Sequence, residues 1–206
     1  FLNKLIKKCA KIMVYKHYII RNSLIVQSSI IKIKFMPINT ISELVKKISS
    51  AKKQGIKNII NNLEIPISEF ENIGTWDENH YTRNCIARTE DYELLLLCWQ
   101  AGHETPIHCH NDQDCWVFLI EGAITENQYK NNEAEIPVLT VSKLMAEKGT
   151  YFINDDIGLH SLHNSKNKRA MSLHVYVNPI KECNYYSKKL KKYKTKNLSY
   201  DTPAIF

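Results

Sequence analysis

Between Gly102 and Gly122 the chain reads GHETPIHCHNDQDCWVFLIEG, and no other stretch limits the fold so strongly. His108 and His110 stand two apart. In an extended backbone residues i and i+2 share a face, so both imidazoles reach one point in space. That is what a metal ion needs, and imidazole suits iron, zinc, copper and nickel. Residues 116–120 continue as a run of strand formers, and Gly122 supplies a turn. A bare His-x-His pair also fits two solvent-facing histidines on one strand. The flanking glycines and His160 downstream favour the metal.

The elements around this stretch are mostly strands. A capping box, Thr40-Ile-Ser-Glu43, opens an amphipathic helix with Ile41, Leu44, Val45 and Ile48 on one face, which Gly55 ends. Two further short helices are expected over 56–63 and 68–72. From His80 the period changes. Residues 81–88 alternate, and the apolar run 93–100 reads as a buried strand. Strands follow over 123–130, 138–144, 150–154 and 170–177, with a loop at 155–158 that delivers His160 and a polar stretch over 161–167. In the last strand Ser172, His174 and Tyr176 share one face, and Met171, Leu173 and Val175 the other. Short strands with turn residues between them predict a mainly β fold, a sandwich or barrel preceded by two or three short helices.

Charge and cysteine usage exclude several function classes. The net charge is +7, but residues 1–35 hold eight basic residues and no acidic one, so the rest is close to neutral. A nucleic-acid-binding domain carries its basic patch on the fold itself, so no nucleic-acid partner is expected. The acid-free segment 1–35 fits a mitochondrial-type presequence, sequence upstream of a true start at Met36, or an extra helix. It is set aside as a basic leader, expected to be disordered or absent from the mature protein, which leaves 36–206 as one domain with a Lys-rich, solvated C-terminal tail. No run of 18 or more apolar residues occurs, so no membrane span is expected. The six cysteines form no C-x-x-C pair and no regular framework, which argues for a reducing, cytoplasmic setting.

The spacing of these residues resembles the two-part pattern of a cupin jelly roll, G-x5-H-x-H-x3,4-E-x6-G followed by G-x5-P-x-G-x2-H-x3-N. Gly102, His108, His110 and Gly122 match the first part, with Cys115 where the pattern has Glu. Gly149, His160 and Asn164 match the second, with Asp155 and Ile157 in place of Pro and Gly. The match leaves three histidines and no carboxylate. Together with Tyr81-Thr82-Arg83-Asn84, Cys98-Trp99, Gly158-Leu159-His160 and Ser172-Leu173-His174-Val175-Tyr176, the exchange of Glu for Cys makes the chain resemble the cysteine dioxygenases from about residue 36 to 183.

That resemblance implies a non-heme Fe(II) held by His108, His110 and His160, one ion per chain, with dioxygen as co-substrate. It implies oxidation of L-cysteine to cysteine sulfinic acid, the entry to cysteine catabolism, by a monomer with a small thiol amino acid as its only partner. Three neutral imidazoles leave open positions for a thiolate and O2, and coordination lowers the thiol pKa. By the same resemblance Arg83 binds the substrate carboxylate through its planar donor fork and Tyr81 supports it. Tyr176 sits beside the iron. Cys115 and Tyr176 are the pair joined by a thioether in animal members. His174 is expected to hydrogen-bond the Tyr176 phenol, with Ser172 behind it.

Cys109 points away from the ligand face and is expected in the core, as are Cys98 and Cys183, and His103 is expected to be structural. Asn178 replaces the first proline of the family's Ser-Pro-Pro, which puts the loop behind the site in doubt. Relatives that oxidise 3-mercaptopropionate tend to have Gln at the position of Arg83, so Arg83 favours cysteine over that thiol. Two other readings are a metal cupin of different chemistry, such as an isomerase, which predicts a carboxylate ligand, and a non-catalytic binding or storage cupin.

Overall fold

A computed structural model describes residues 36–206, so the leader 1–35, with Cys9 and His17, lies outside the described residues. Residues Pro37–Phe206 form one compact unit. Its first helix, α1 (Ile41–Ser50), begins as the capping box requires: the Thr40 hydroxyl accepts from the Glu43 N–H at 3.1 Å. The Glu43 carboxylate reaches back one residue further than a strict box, to the Asn39 N–H at 3.3 Å. Ile41, Leu44 and Ile48 are buried on one face. The helix stops at Ser50, where Ala51 turns extended, and Gly55 instead ends a short 3-10 turn, Lys53–Gly55. Then come α2 (Ile56–Ile60) and α3 (Ile67–Glu71).

Eleven strands follow: β1 (Thr82–Arg88), β2 (Tyr92–Trp99), β3 (Ile107–His108), β4 (Asp114–Glu121), β5 (Ile124–Asn131), β6 (Pro137–Met145), β7 (Thr150–Ile153), β8 (Leu159–His163), β9 (Ala170–Val177), β10 (Glu182–Ser187) and β11 (Lys192–Asn197). They build two antiparallel sheets, one in the order β1-β2-β9-β4-β7 and the other β11-β10-β3-β8-β5-β6. This is the expected mainly β jelly roll with three short helices in front.

The helices explain why the five-stranded sheet reads as it does. Ile41, Leu44, Ile48, Ile60 and Phe70 pack on its outer face against Leu94, Leu96, Leu173 and Val175. Its inner face carries Leu95, Leu97, Cys115, Val117 and Tyr176. Both faces of β2 are therefore removed from water, and all eight of its residues are buried. A continuous apolar run such as YELLLLCW is the pattern of a strand covered on both sides. Gly122 turns β4 into β5 at φ +81°, and a Cβ there would lie 2.7 Å from the Arg169 carbonyl oxygen, so only glycine fits.

Three local expectations change. The histidine strand is short: β3 ends at His108, and Asn111 and Asp112 take positive φ before β4 begins in the opposite sheet. His160 is delivered by a strand, β8, and not by a loop. The Lys-rich stretch is a β-hairpin, β10–β11, whose lysines are exposed while Cys183 and Tyr186 are buried. Cys183 and Tyr186 are three apart and so lie on opposite faces of β10: Cys183 borders a cavity beside the histidines, and Tyr186 packs edge-on against Tyr193 of β11. Beyond the hairpin the chain runs along the outer edge of β1: Thr202 bridges Asn84, and the Ile205 and Phe206 N–H groups donate to the Ile86 carbonyl. Among the described residues no helix is long and apolar enough to cross a membrane.

Candidate metal centre

The six-stranded sheet and the turn after β3 bring His108, His110 and His160 to one point. His108 on β3 lies directly opposite His160 on β8, and the turn after β3 folds His110 back beside them. One ligand nitrogen from each residue lies within 4.8 Å of the others, and the ring centroids are 4.6 to 5.3 Å apart. Nitrogens about 2.1 Å from a shared ion would stand ~3–4 Å apart, so little closure is needed. Among the described residues no carboxylate or thiol joins this cluster.

The hydrogen bonds fix which nitrogen each ring presents. His108 Nδ1 lies 2.9 Å from the Pro106 carbonyl oxygen, and His160 Nδ1 lies 2.9 Å from Glu126 Oε1. Each acceptor assigns the proton to Nδ1 and leaves the Nε2 lone pair for a metal. His110 is 1% exposed, and its Nδ1 has no hydrogen-bond partner among the described residues. Burial, with His160 beside it, drives the His108 pKa down to about 3. Burial and the two neighbouring imidazoles also hold His110 well below its ordinary value. Neutral, converging imidazoles, one with an unsatisfied buried nitrogen, form a donor set that suits a divalent transition metal.

Two residues that sequence reasoning missed hold this set in place. Glu126 on β5 accepts from His160 and pairs with Lys143 Nζ at 2.7 Å. Burial pushes its carboxyl up, but the His160 hydrogen bond and Lys143 outweigh that and leave it below the ordinary glutamate value. Asp155 accepts from the His110 N–H at 2.6 Å and the Asp112 N–H at 2.8 Å, which pins the turn carrying His110. Neither has a local sequence signal. Glu126 is recognisable only from the β5–β8 register, which sets Gln128 opposite His160 and Glu126 opposite Leu162.

A cavity of about 40 Å³ opens beside the histidines, lined among others by Tyr81, Arg83, His108, His110 and Tyr176. Of the other residues expected at the site, His160 and Cys115 do not line it but pair directly with His108 and Tyr176, which do. Arg83 is not a surface residue; its side chain is 11% exposed. Tyr81 stacks on Trp99 with centroids 4.6 Å apart and planes 22° apart. Cys115 and Tyr176 are direct cross-strand partners on β4 and β9. Burial raises the Cys115 thiol far above its ordinary value, against the pull of the neighbouring Tyr176 phenol. Burial, reinforced by Cys115, likewise keeps the Tyr176 phenol protonated.

His174 departs from expectation. Its Nε2 lies 2.9 Å from the Ser172 hydroxyl and its Nδ1 3.9 Å from Cys115 Sγ, so neither nitrogen serves the Tyr176 phenol. Its ring runs nearly parallel to that of Tyr176 at 6.2 Å. The extended strand sets Ser172, His174 and Tyr176 side by side, which stacks the two rings and turns one ring nitrogen to Ser172 on the same strand and the other to Cys115 on β4. Ser172 in turn accepts from the Trp99 indole N–H at 2.9 Å. Cys109, expected in the core, is half-buried on the outer face of the six-stranded sheet, where it lines an open groove. Cys98 and Cys183 are buried as expected, and Cys183 borders the metal cavity. His103 is structural: its Nδ1 accepts from the Gln100 N–H at 3.0 Å. Asn178 takes φ +66°, a conformation asparagine tolerates, and donates to the Gln113 side chain at 3.1 Å, tying the loop behind Tyr176 to the histidine turn.

The chain is similar in sequence to known proteins. A protein named cysteine dioxygenase type 1 from Bos taurus is 30% identical over 129 residues, covering 59% of this chain and 63% of that protein. The match thus spans just under two thirds of the mammalian relative. Its namesake from Danio rerio is 24% identical over 172 residues, 78% of this chain and 86% of the relative. Among solved structures, a conserved protein with a double-stranded β-helix domain from Klebsiella pneumoniae covers 52% of this chain and 80% of its own at 14% identity and a TM-score of 0.44. The family model described as cysteine dioxygenase type I matches residues 26–189. With the family model spanning most of the chain, the protein belongs to the cysteine dioxygenase type I family.

Proposed function

We propose that the protein is a thiol dioxygenase that uses one Fe(II), held by His108, His110 and His160, to convert L-cysteine and O2 to cysteine sulfinic acid. The observation that carries this reading is one cavity shared by a three-imidazole cluster without a carboxylate and by a buried arginine. When bound, a ferrous ion supplies a single centre for thiolate and dioxygen and lowers the thiol pKa.

The rest is done by the protein's own side chains. Arg83 binds the substrate carboxylate with its guanidinium fork, which orients the amino acid so that its thiol faces the imidazoles. The small cavity favours a short thiol over a long one. Tyr176, kept protonated by burial, offers a phenol O–H to the reacting sulfur or oxygen. The stacked Tyr81–Trp99 pair walls one side against water. Both oxygen atoms end on sulfur, and the thiol becomes a sulfinic acid, so O2 is the only oxidant required.

A thioether between Cys115 and Tyr176 is supported by their direct pairing across β4 and β9. Its formation removes two hydrogens, one from the thiol and one from the ring, and dioxygen would take them. We further propose that the protein acts as a monomer on a small thiol amino acid, without nucleic acid or membrane as partner. A cytoplasmic setting fits its free cysteines, and a mitochondrial one would follow if 1–35 is a presequence.

The test is oxygen uptake by the iron-loaded protein with L-cysteine, 3-mercaptopropionate and cysteamine. Uptake dependent on L-cysteine, with sulfinate as product, is expected. Absence of cysteine-dependent uptake by protein shown to contain iron sinks the assignment.

A further inference from the structure

Arg83 does not stand alone. Its Nε donates to the Ser199 carbonyl at 3.1 Å, and its Nη2 lies 3.4 Å from Glu93 Oε1. Glu93 is fully buried, at 0% exposure, on β2. It pairs across the sheet with Tyr176, so it belongs to the inner face. Its second oxygen accepts from the Tyr200 hydroxyl at 2.6 Å, and Arg88 Nε stands 3.8 Å away. A buried carboxylate without partners is costly, and here the Tyr200 hydroxyl, two guanidinium groups and the Ile180 backbone are directed at it.

Tyr200 belongs to the segment that runs along β1 after the last strand. That segment is locked to Arg83 itself: the Asp201 N–H donates to the Arg83 carbonyl at 2.9 Å, and the Arg83 N–H donates to Asp201 Oδ2 at 2.7 Å. The Tyr200 ring also lies under both guanidinia, with centroid distances of 5.8 Å to Arg83 and 5.5 Å to Arg88. The guanidinium of Arg83 is thus held at Nε and at Nη2, and Arg83 itself lines the cavity. A planar fork fixed on two sides presents its remaining donors in one orientation, which lowers the entropy lost on binding a carboxylate.

We propose that Glu93 and Tyr200 are positioning residues: through a buried carboxylate and a C-terminal strap they fix the plane of the Arg83 guanidinium and so set the affinity for the carboxylate of the small thiol substrate. The inference rests on Arg83 being the carboxylate anchor of the proposed thiol dioxygenase. Neither residue touches the substrate; both act through Arg83.

The experiment compares the full-length, iron-loaded protein with Tyr200→Phe and Glu93→Gln, alone and on an Arg83→Ala background. Tyr200→Phe removes one hydroxyl from a half-buried ring and is the conservative variant; Glu93→Gln keeps the shape and removes the charge. Tyr200→Phe is expected to raise KM for L-cysteine about tenfold, the loss of a hydrogen bond to a charged group, with kcat within about twofold. Iron content and thermal midpoint should stay near those of the unchanged protein. On the Arg83→Ala background the same change should have no further effect on KM, because the group it positions is gone. An unchanged KM in Tyr200→Phe overturns the proposal, and so does an equal KM effect with and without Arg83, which would mark a merely structural role. If the unchanged protein shows no cysteine-dependent uptake, the dioxygenase reading has failed and not this network.

Discussion

Glu126→Gln tests the metal centre most directly, because it changes one charge and almost no volume. In the native protein Glu126 Oε1 takes the His160 Nδ1–H at 2.9 Å, and both residues are at most 3% exposed. A hydrogen bond to a charged acceptor contributes roughly 1.5–3 kcal/mol and a neutral one roughly 0.5–1.5. Glutamine keeps an acceptor near the ring, so the loss is about 1–1.5 kcal/mol, or about tenfold in metal affinity. That is the low end of the 10- to 100-fold typical when the partner of a metal-binding histidine is altered. The lost ion pair to Lys143 adds little, because that lysine is 37% exposed and regains water. The assay is an anaerobic titration of metal-free protein with Fe(II) or Co(II) against a competing chelator. Affinity within twofold of the native protein would refute the claim that the carboxylate raises the basicity of His160 and fixes its tautomer.

Further predictions follow from the same geometry. Arg83→Ala should weaken the apparent affinity for L-cysteine by about 10- to 100-fold, the loss of a charged hydrogen bond, while iron occupancy by metal analysis is unchanged. Gly122→Ala should destabilise the protein by about 1–3 kcal/mol in urea unfolding, since an alanine at φ +81° meets the Arg169 carbonyl. The Glu126 carboxyl lies below its ordinary 4.5 in the folded protein, so its stabilisation is fully present above pH 4.5 and lost as the pH falls through the depressed value. Glu126→Gln should therefore flatten the acid limb of the thermal midpoint below pH 4.5, and an unchanged limb would contradict the cause assigned here. Incubation with L-cysteine should give a gel mobility doublet that is absent from Tyr176→Phe, whose ring lies opposite Cys115.

The candidate ligand histidines were legible in the chain because their spacing is short-range. His108 and His110 are two apart, His160 follows Gly158, and the alternation over 170–177 places Ser172, His174 and Tyr176 on one face, where the structure has them. The capping box and the twice-covered strand β2 are of the same kind, since each is set by contacts or burial along one element. The family resemblance added Arg83 and Cys115, which no periodicity distinguishes from a surface arginine or a buried thiol.

What the linear order did not contain are the partners of those residues. Glu126 is 34 positions from His160, Asp155 is 45 from His110, and Tyr200 is 107 from Glu93. Only the strand order and register bring each pair together, and a buried charge finds its counterpart through space and not along the chain. His174 shows both kinds of partner: one ring nitrogen reaches Ser172 on its own strand, and the other faces Cys115 across the sheet, so neither serves Tyr176. The chain alone established which residues can bind a metal; pairing within the six-stranded sheet decided which nitrogen His160 presents and which charge supports it, and Glu93 with the C-terminal strap decided how the arginine beside the cluster is held.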